Sequence, residues 1–480
     1  MSESELPTAE LAPTATATVI AVVPADSTIM DREDRLRPKF VAKVLDAVAA
    51  GDNEAARALV EPLHPADVAD LIELARADER DGLVAALAGI VDADVFAEMN
   101  EYVRETLLDE MEPQQLADFA GQLDTDDAVA LLEDLEDDEQ RAVLRAMEPD
   151  DRAAIEEALR YPEESAGRLM QRDLIAVPEH WTVGQVIDYL RSGDDLADDF
   201  WEVFVVSPTH HPVGTCKLST ILRSPRRMAV AEIMLDDQTL IPVEMDQEEV
   251  ALRFQKYALI SAAVVNPNGR LVGMITVDDI VHIIQEEAGE DVLLLSGAGD
   301  GDINEPIGMT IRTRLTWLVI NLGTAMIAAS VVGLFQGEIS RFALLAVLMP
   351  IVSGMGGNAG TQTLAVVVRA LATNQLTDSN TIRMVGRELK IALANGFALG
   401  LLIGTGAAVL FHNPPLGMVI GAAMVINNII AGLAGILVPV GLDRSRIDPA
   451  VSSAVFVTMA TDVMGFLSFL GLASLAGLHA

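Results

Sequence analysis

A single cysteine, Cys216, means that no disulfide can form within the chain, and a reducing cytosol is the natural setting for the segment that carries it. Aromatic residues make up only 4% of the chain. Basic residues are in deficit, with 32 Lys and Arg against 72 Asp and Glu, for a formal net charge of −40. That balance excludes nucleic acid as a partner, because contact with phosphates needs the opposite sign. The sequence also lacks a phosphate-binding glycine loop, a nucleophile–base pairing and a zinc-type ligand spacing, all of which argues against an enzyme. His210 and His211 stand close to Pro208 and Pro212 and read as loop residues. The first residues are rich in Ala, Thr, Pro and Ser and have no initial basic cluster, so 1–35 reads as a disordered tail and not a signal peptide.

Against these deficits, 51% of residues are hydrophobic. Charge and hydropathy separate when the chain is cut at Arg312. Residues 313–480 hold six carboxylates and eight basic residues, leaving residues 1–312 with a net charge of −42. An acidic soluble half is joined to an apolar half, which rules out a purely soluble protein.

Five apolar segments follow, at about 315–336, 342–370, 391–411, 416–442 and 451–478. Each reaches the ~20 residues that cross about 30 Å of hydrocarbon. Arg312 and Arg314 precede the first, Arg383, Arg387 and Lys390 separate the second from the third, and Arg444 and Arg446 precede the fifth. The opposite connections contribute only Arg341. Positive residues mark the cytoplasmic side, so a multi-pass plasma-membrane protein with its N-terminus inside and its C-terminus outside is expected.

Asp462 lies deep in the fifth segment, beside Thr458, Thr461 and Gly465. An ionised carboxylate at that depth is costly unless it meets water, a cation or a partner. Two readings stay open: a cation pathway, or a protonated Asp bonded to a neighbouring helix. The second segment contains the run Gly354–Gln362, with Gly356, Gly357, Asn358, Thr361 and Gln362. Such a run forms helix poorly; in a membrane it gives close helix approach or carbonyls open to a cavity. Asn427 and Asn428 add two amides in the fourth segment. A wall of one carboxylate, amides, hydroxyls and carbonyls suits a hard hydrated cation such as Mg²⁺, with Mn²⁺ and Ca²⁺ left open.

The soluble half carries two repeat systems. Met111, Leu123, Leu135, Met147 and Leu159 recur every 12 residues, each of the first four followed by an acid and a turn-type residue. Phe119, Leu131, Val143 and Ile155 follow eight residues later, which predicts short helices stacked in a superhelix. In a second repeat, Leu169-Met170 returns as Ile233-Met234 and Val177-Pro178 as Ile241-Pro242, while Gly214 returns as Gly273. Strand-like Trp201–Val206 and Ser261–Val265 alternate with helical stretches, an α/β unit present twice. This resembles a tandem pair of cystathionine-β-synthase (CBS) domains, which implies a regulatory sensor. In such domains the pattern at Gly273, Thr276, Asp278 and Asp279 can hold the ribose and phosphate of an adenine nucleotide such as ATP. The first copy has Lys217 and Thr220 at the equivalent places, so its site looks degraded. Glu286, Glu287, Glu290 and Asp291 then crowd one helix ahead of the first apolar segment, where a bridging cation would relieve their repulsion.

The order of these parts resembles the MgtE family of magnesium channels over nearly the whole chain after about residue 35. The motifs are Tyr161–Met170, the Gly354–Gln362 run, and Asp448-Pro449-Ala450 with Thr458, Asp462 and Gly465-Phe466. The resemblance implies a multidomain membrane protein. An all-α superhelical domain (36–160) precedes CBS domains at 161–228 and 229–284, a connecting plug helix (285–312), and a five-helix transmembrane domain (313–480). It further implies a homodimer that passes Mg²⁺, with Asp462 holding the hydrated ion and Gly356, Gly357 and Asn358 lining the same pathway. Glu286, Glu287, Glu290 and Asp291 would form the plug, with Asp278 and Asp279 nearby, closed by internal Mg²⁺ and opened by its loss. Where some members carry a polar residue eight positions before Asp462, this chain has Ala454. A membrane-anchored nucleotide sensor and an exchanger for another divalent ion are the competing expectations.

Overall fold

A computed structural model describes residues 29–109, 111–192, 196–197, 200–297, 301–451 and 453–477, apart from the side chain of Asp291. Most of the expected tail, up to residue 28, lies outside the described residues. Residues 29–35 differ from the expectation: Asp31 accepts the Glu33 and Arg35 backbone N–H groups, and Met30 bridges to Leu36, which is buried. The chain divides after Ile155 into two compact units.

Among its described residues the first unit is all helix, from α1 (Pro38–Ala49), α2 (Asn53–Val60), α3 (Pro65–Leu74), α4 (Ala77–Ala86), α5 (Ala93–Ala97) and α6 (Glu101–Leu108) onward. The 12-residue repeat becomes α7 (Pro113–Ala120), α8 (Thr125–Glu133), α9 (Asp137–Ala146) and α10 (Pro149–Ala158). Each starts in phase after an acidic residue, and Glu112 with Gln115 forms a reciprocal capping box on α7. Acidic caps suit the positive end of a helix dipole. Leu131, Val143 and Ile155 are buried, while Phe119 meets Phe96 edge-on at 5.4 Å.

In the second unit, β1 (Ala176–Pro178) pairs parallel with β2 (Glu202–Val206), which pairs antiparallel with β3 (Pro212–Lys217). Helices α11 (Val183–Ser192) and α12 (Leu218–Arg223) complete this copy. The second copy repeats the plan with β4 (Leu240–Pro242), α13 (Gln247–Tyr257), β5 (Ser261–Val265), β6 (Leu271–Thr276) and α14 (Val277–Ser296). Each copy grips the segment leading into the other. Gln171 bridges Met274 and Thr215 bridges Leu235, over Gly273 and Gly214, where any Cβ would strike Met170 or Met234. The connecting helix is therefore no separate element, since α14 begins at Val277 as the last helix of the second copy and runs on to Ser296.

Five helices are long and apolar enough to cross a membrane: α15 (Ile307–Leu334), α17 (Leu344–Ala372), α18 (Thr381–Leu410), α19 (Pro414–Arg444) and α20 (Ser453–Leu475). The short α16 (Gln336–Arg341) links the first two. Helix α18 starts at Thr381, so Arg383, Arg387 and Lys390 lie on the helix and not in a connection as expected. Long basic side chains on such an end extend their charges toward water, which lets the helix outgrow the hydrocarbon. Helix α19 is the most buried of the five and α15 the least. Gly396, Gly400 and Gly404 of α18 meet Gly417, Gly421 and Val425 of α19 at backbone distance.

Candidate cation site

Asp462 on α20 is half-buried and accepts a hydrogen bond from the Ser353 hydroxyl of α17. The contact ties α20 to α17 at that depth. It matches the neighbouring-helix reading in its geometry and leaves the cation reading intact. Behind the pair stands Asn427 of α19, fully buried, whose Nδ2 donates to the Val352 carbonyl at 2.8 Å. Gly356 and Gly465 make room for that amide, and a Cβ on either would collide with it. Asn428 turns back to the Met424 carbonyl at 2.9 Å.

Of the two alternatives for the glycine run, the structure has close helix approach. The run stays helical throughout α17, with no opening of its backbone, because close packing against α19 and α20 outweighs poor intrinsic propensity. Gly356 is buried under Asn427. Gly357 has open space around it, and Asn358, Thr361 and Gln362 are exposed on one side of the helix. Thr458, one turn before Asp462, is also exposed.

A second membrane carboxylate escaped the sequence reading. Glu388 is buried in α18, accepts from Thr363 of α17 at 3.3 Å and lies 3.5 Å from the Arg387 guanidinium. Its four-residue phase with Ala392, Gly396, Gly400 and Gly404 was the signal, had the helix been extended to Thr381.

In the second α/β copy, Gly273, Thr276 and Asp279 do not form an open nucleotide site. The Thr276 hydroxyl and the Gln171 amide both donate to Asp279, at 2.7 and 3.3 Å, and Gly273 is covered by Met170. A cavity lies instead on the other side of the second copy, where three residues of the first copy close it. About 970 Å³ is lined by Lys217, Thr215 and Glu202 together with Arg253, Tyr257 and Ser261, and the α17–α18 turn at Thr373 and Asn374 reaches it.

Along α14, Glu287 accepts from Gln247 at 2.7 Å, while Asp278, Glu286 and Glu290 are exposed. Burial raises the Glu287 carboxyl to about 7, and Glu290, Asp246 and Glu164 push the same way against the Gln247 bond. The side chain of Asp291 lies outside the described residues. Among the described residues, no three His, Cys, Asp or Glu side chains gather in metal-binding geometry. The end of α14 carries a feature missed in sequence: Leu294 and Leu295 pack on Leu364, Val368, Ala450 and Val457 at the ends of α17 and α20.

Three family profiles match. "MgtE: Divalent cation transporter" covers residues 349–472, "MgtE intracellular N domain" covers 63–164 and "CBS domain" covers 230–286. The magnesium transporter MgtE of Enterococcus faecalis is 34% identical over 67% of this chain and 71% of its own length. The chain belongs to the MgtE family. The Thermus thermophilus MgtE is 30% identical, over 92% of this chain and 99% of its own. A crystal structure of the cytosolic domain of the Mg²⁺ channel MgtE in complex with ATP is 29% identical, with a TM-score of 0.47, over 51% of this chain and 99% of that one. For an MgtE member, the superhelix, the paired α/β copies and the five apolar helices are the expected parts, and relatives named magnesium transporters point to transport and not catalysis.

Proposed function

We propose that the chain forms a homodimeric channel for Mg²⁺ uptake across the cytoplasmic membrane, closed by Mg²⁺ on its cytosolic side. The observation that carries the reading is Asp462, a membrane-depth carboxylate with no basic partner among the described residues, bonded to Ser353 of α17, the helix that also carries the exposed Asn358 and Gln362. Asp462 supplies the negative charge that draws in a hydrated cation, and Asn358 and Gly357 border its route. A polar helix face exposed on a single chain calls for cover within hydrocarbon, which supports a second copy across the pathway.

The gate combines charge with packing. Glu286, Glu287, Glu290 and Asp291 on α14 repel one another and gain a shared counter-ion when cytosolic Mg²⁺ is high. Asp278 and Asp279, at the start of the same helix, add two further carboxylates to that surface. A ligand closes a gate only through higher affinity for the closed state, and clustered carboxylates provide that difference. The leucine tip of α14 then rests against α17 and α20. The 970 Å³ cavity, which Lys217 and Arg253 help to line, would take an adenine nucleotide such as ATP as a modulator.

Mg²⁺ influx into dye-loaded proteoliposomes, wild type against Asp462→Ala, tests the reading. Influx lost with Asp462 is the expected outcome. No influx through a folded wild-type dimer would favour a nucleotide sensor, and coupling to protons or sodium would favour an exchanger.

A further inference from the structure

Hydroxyls on membrane helices ordinarily donate back to a carbonyl one turn earlier. Thr316, Thr324, Ser330, Thr361, Thr405, Thr461 and Ser468 all do so in this chain. Ser353 departs from them and donates across helices to Oδ1 of Asp462. The register is enforced from behind, since Asn427 is bound to the carbonyl of the preceding residue, Val352, and wedged between Gly356 and Gly465. A shift of α17 against α19 and α20 would break both contacts together.

The consequence lies in how many oxygens Asp462 can offer. A free carboxylate presents two, and Ca²⁺, with its long and flexible coordination, readily takes both. Mg²⁺ demands tight octahedral geometry, keeps its water and needs only one carboxylate oxygen to hold its hydration shell. We infer that Ser353 is a specificity-determining positioning residue. By bonding Oδ1 it fixes the carboxylate's orientation and takes one of the acceptor positions that two-oxygen chelation would use, which favours hydrated Mg²⁺ and disfavours Ca²⁺. The inference rests on the permeation reading of Asp462 and adds a residue that touches no ion itself. Discrimination here is negative as well as positive, because the better ligand set for the competitor is withheld.

The test is Ca²⁺ inhibition of Mg²⁺ influx in proteoliposomes containing the full-length protein. In Ser353→Ala, half-inhibition by Ca²⁺ should occur at about tenfold lower concentration, the scale of one hydrogen bond to a charged group, with a smaller change in Mg²⁺ half-saturation. Ser353→Thr, which keeps the hydroxyl, should restore the wild-type Ca²⁺ response. Ser353→Cys, nearly isosteric and a weak donor, should fall between them and serves if the alanine variant does not fold. Wild-type Ca²⁺ inhibition in both the alanine and cysteine variants, with Asp462→Ala inactive, would overturn the inference and leave the permeation reading standing. Full influx through Asp462→Ala would overturn the permeation reading itself.

Discussion

Asn427 and the two glycines around it show how a polar group is accommodated at membrane depth: one bond to a backbone carbonyl, and no Cβ in the way. Gly356→Ala places a methyl on the Asn427 amide and should lower stability by about 1–3 kcal/mol, as overpacking of a tight core does. Its neighbour Gly357 has open space, so Gly357→Ala should keep or raise the detergent unfolding midpoint, since alanine is the better helix former. If Gly357 borders the pathway, that variant should still pass less Mg²⁺; equal midpoints for the two alanines would refute the assignment. On α14, Glu287 gives a signed pH dependence. Its carboxyl is raised from 4.5 to about 7, so the folded chain binds the extra proton between those values. Stability in Mg²⁺-free buffer should therefore fall as pH rises through that window, and Glu287→Gln should flatten the slope. A melting-temperature series across the window, with and without the substitution, checks it.

Among the elements, α14 links the second α/β copy to the membrane half, and its middle and its tip differ in chemistry. In the proposed gate the acidic middle answers to cations, while Leu294 and Leu295 at the tip add apolar contact with α17 and α20. Leu295→Ser should weaken the closed state without touching a carboxylate. Influx at high internal Mg²⁺ should rise several-fold, while influx at low internal Mg²⁺ stays near wild type; an unchanged closing response would remove the tip from the gate. Much of this scale was legible in sequence. The starts of α7 to α10 follow the acid-plus-turn repeat, and the strand matches at offsets 64 and 59 are reproduced by identical pairing in the two sheets. Elements were left open or misread where packing overrides local preference. The glycine run is helical because Asn427 and Val457 fill the space its side chains leave, and α18 extends past its basic residues. A lone Ser353 in an apolar helix has no periodic signature, and its partner is 109 positions away.

For the whole molecule, charge is the governing term. A −42 segment ahead of the spans stores like-charge repulsion that destabilises compact arrangements and that divalent ions relieve. Chelating Mg²⁺ at low salt should enlarge the hydrodynamic radius of the full-length protein in detergent and speed its proteolysis ahead of Ile307. If repulsion is the cause, monovalent salt should reverse most of that swelling, because screening shortens the reach of a charge from about 10 Å at 0.1 M to about 3 Å at 1 M. The same salt should not restore closure of Mg²⁺ influx, since a monovalent ion screens charge but does not bridge two carboxylates. Light scattering and liposome flux on one preparation separate the two effects. A radius indifferent to chelation would mean that the acidic half is held by its own packing, and the electrostatic account of gating would fall with it.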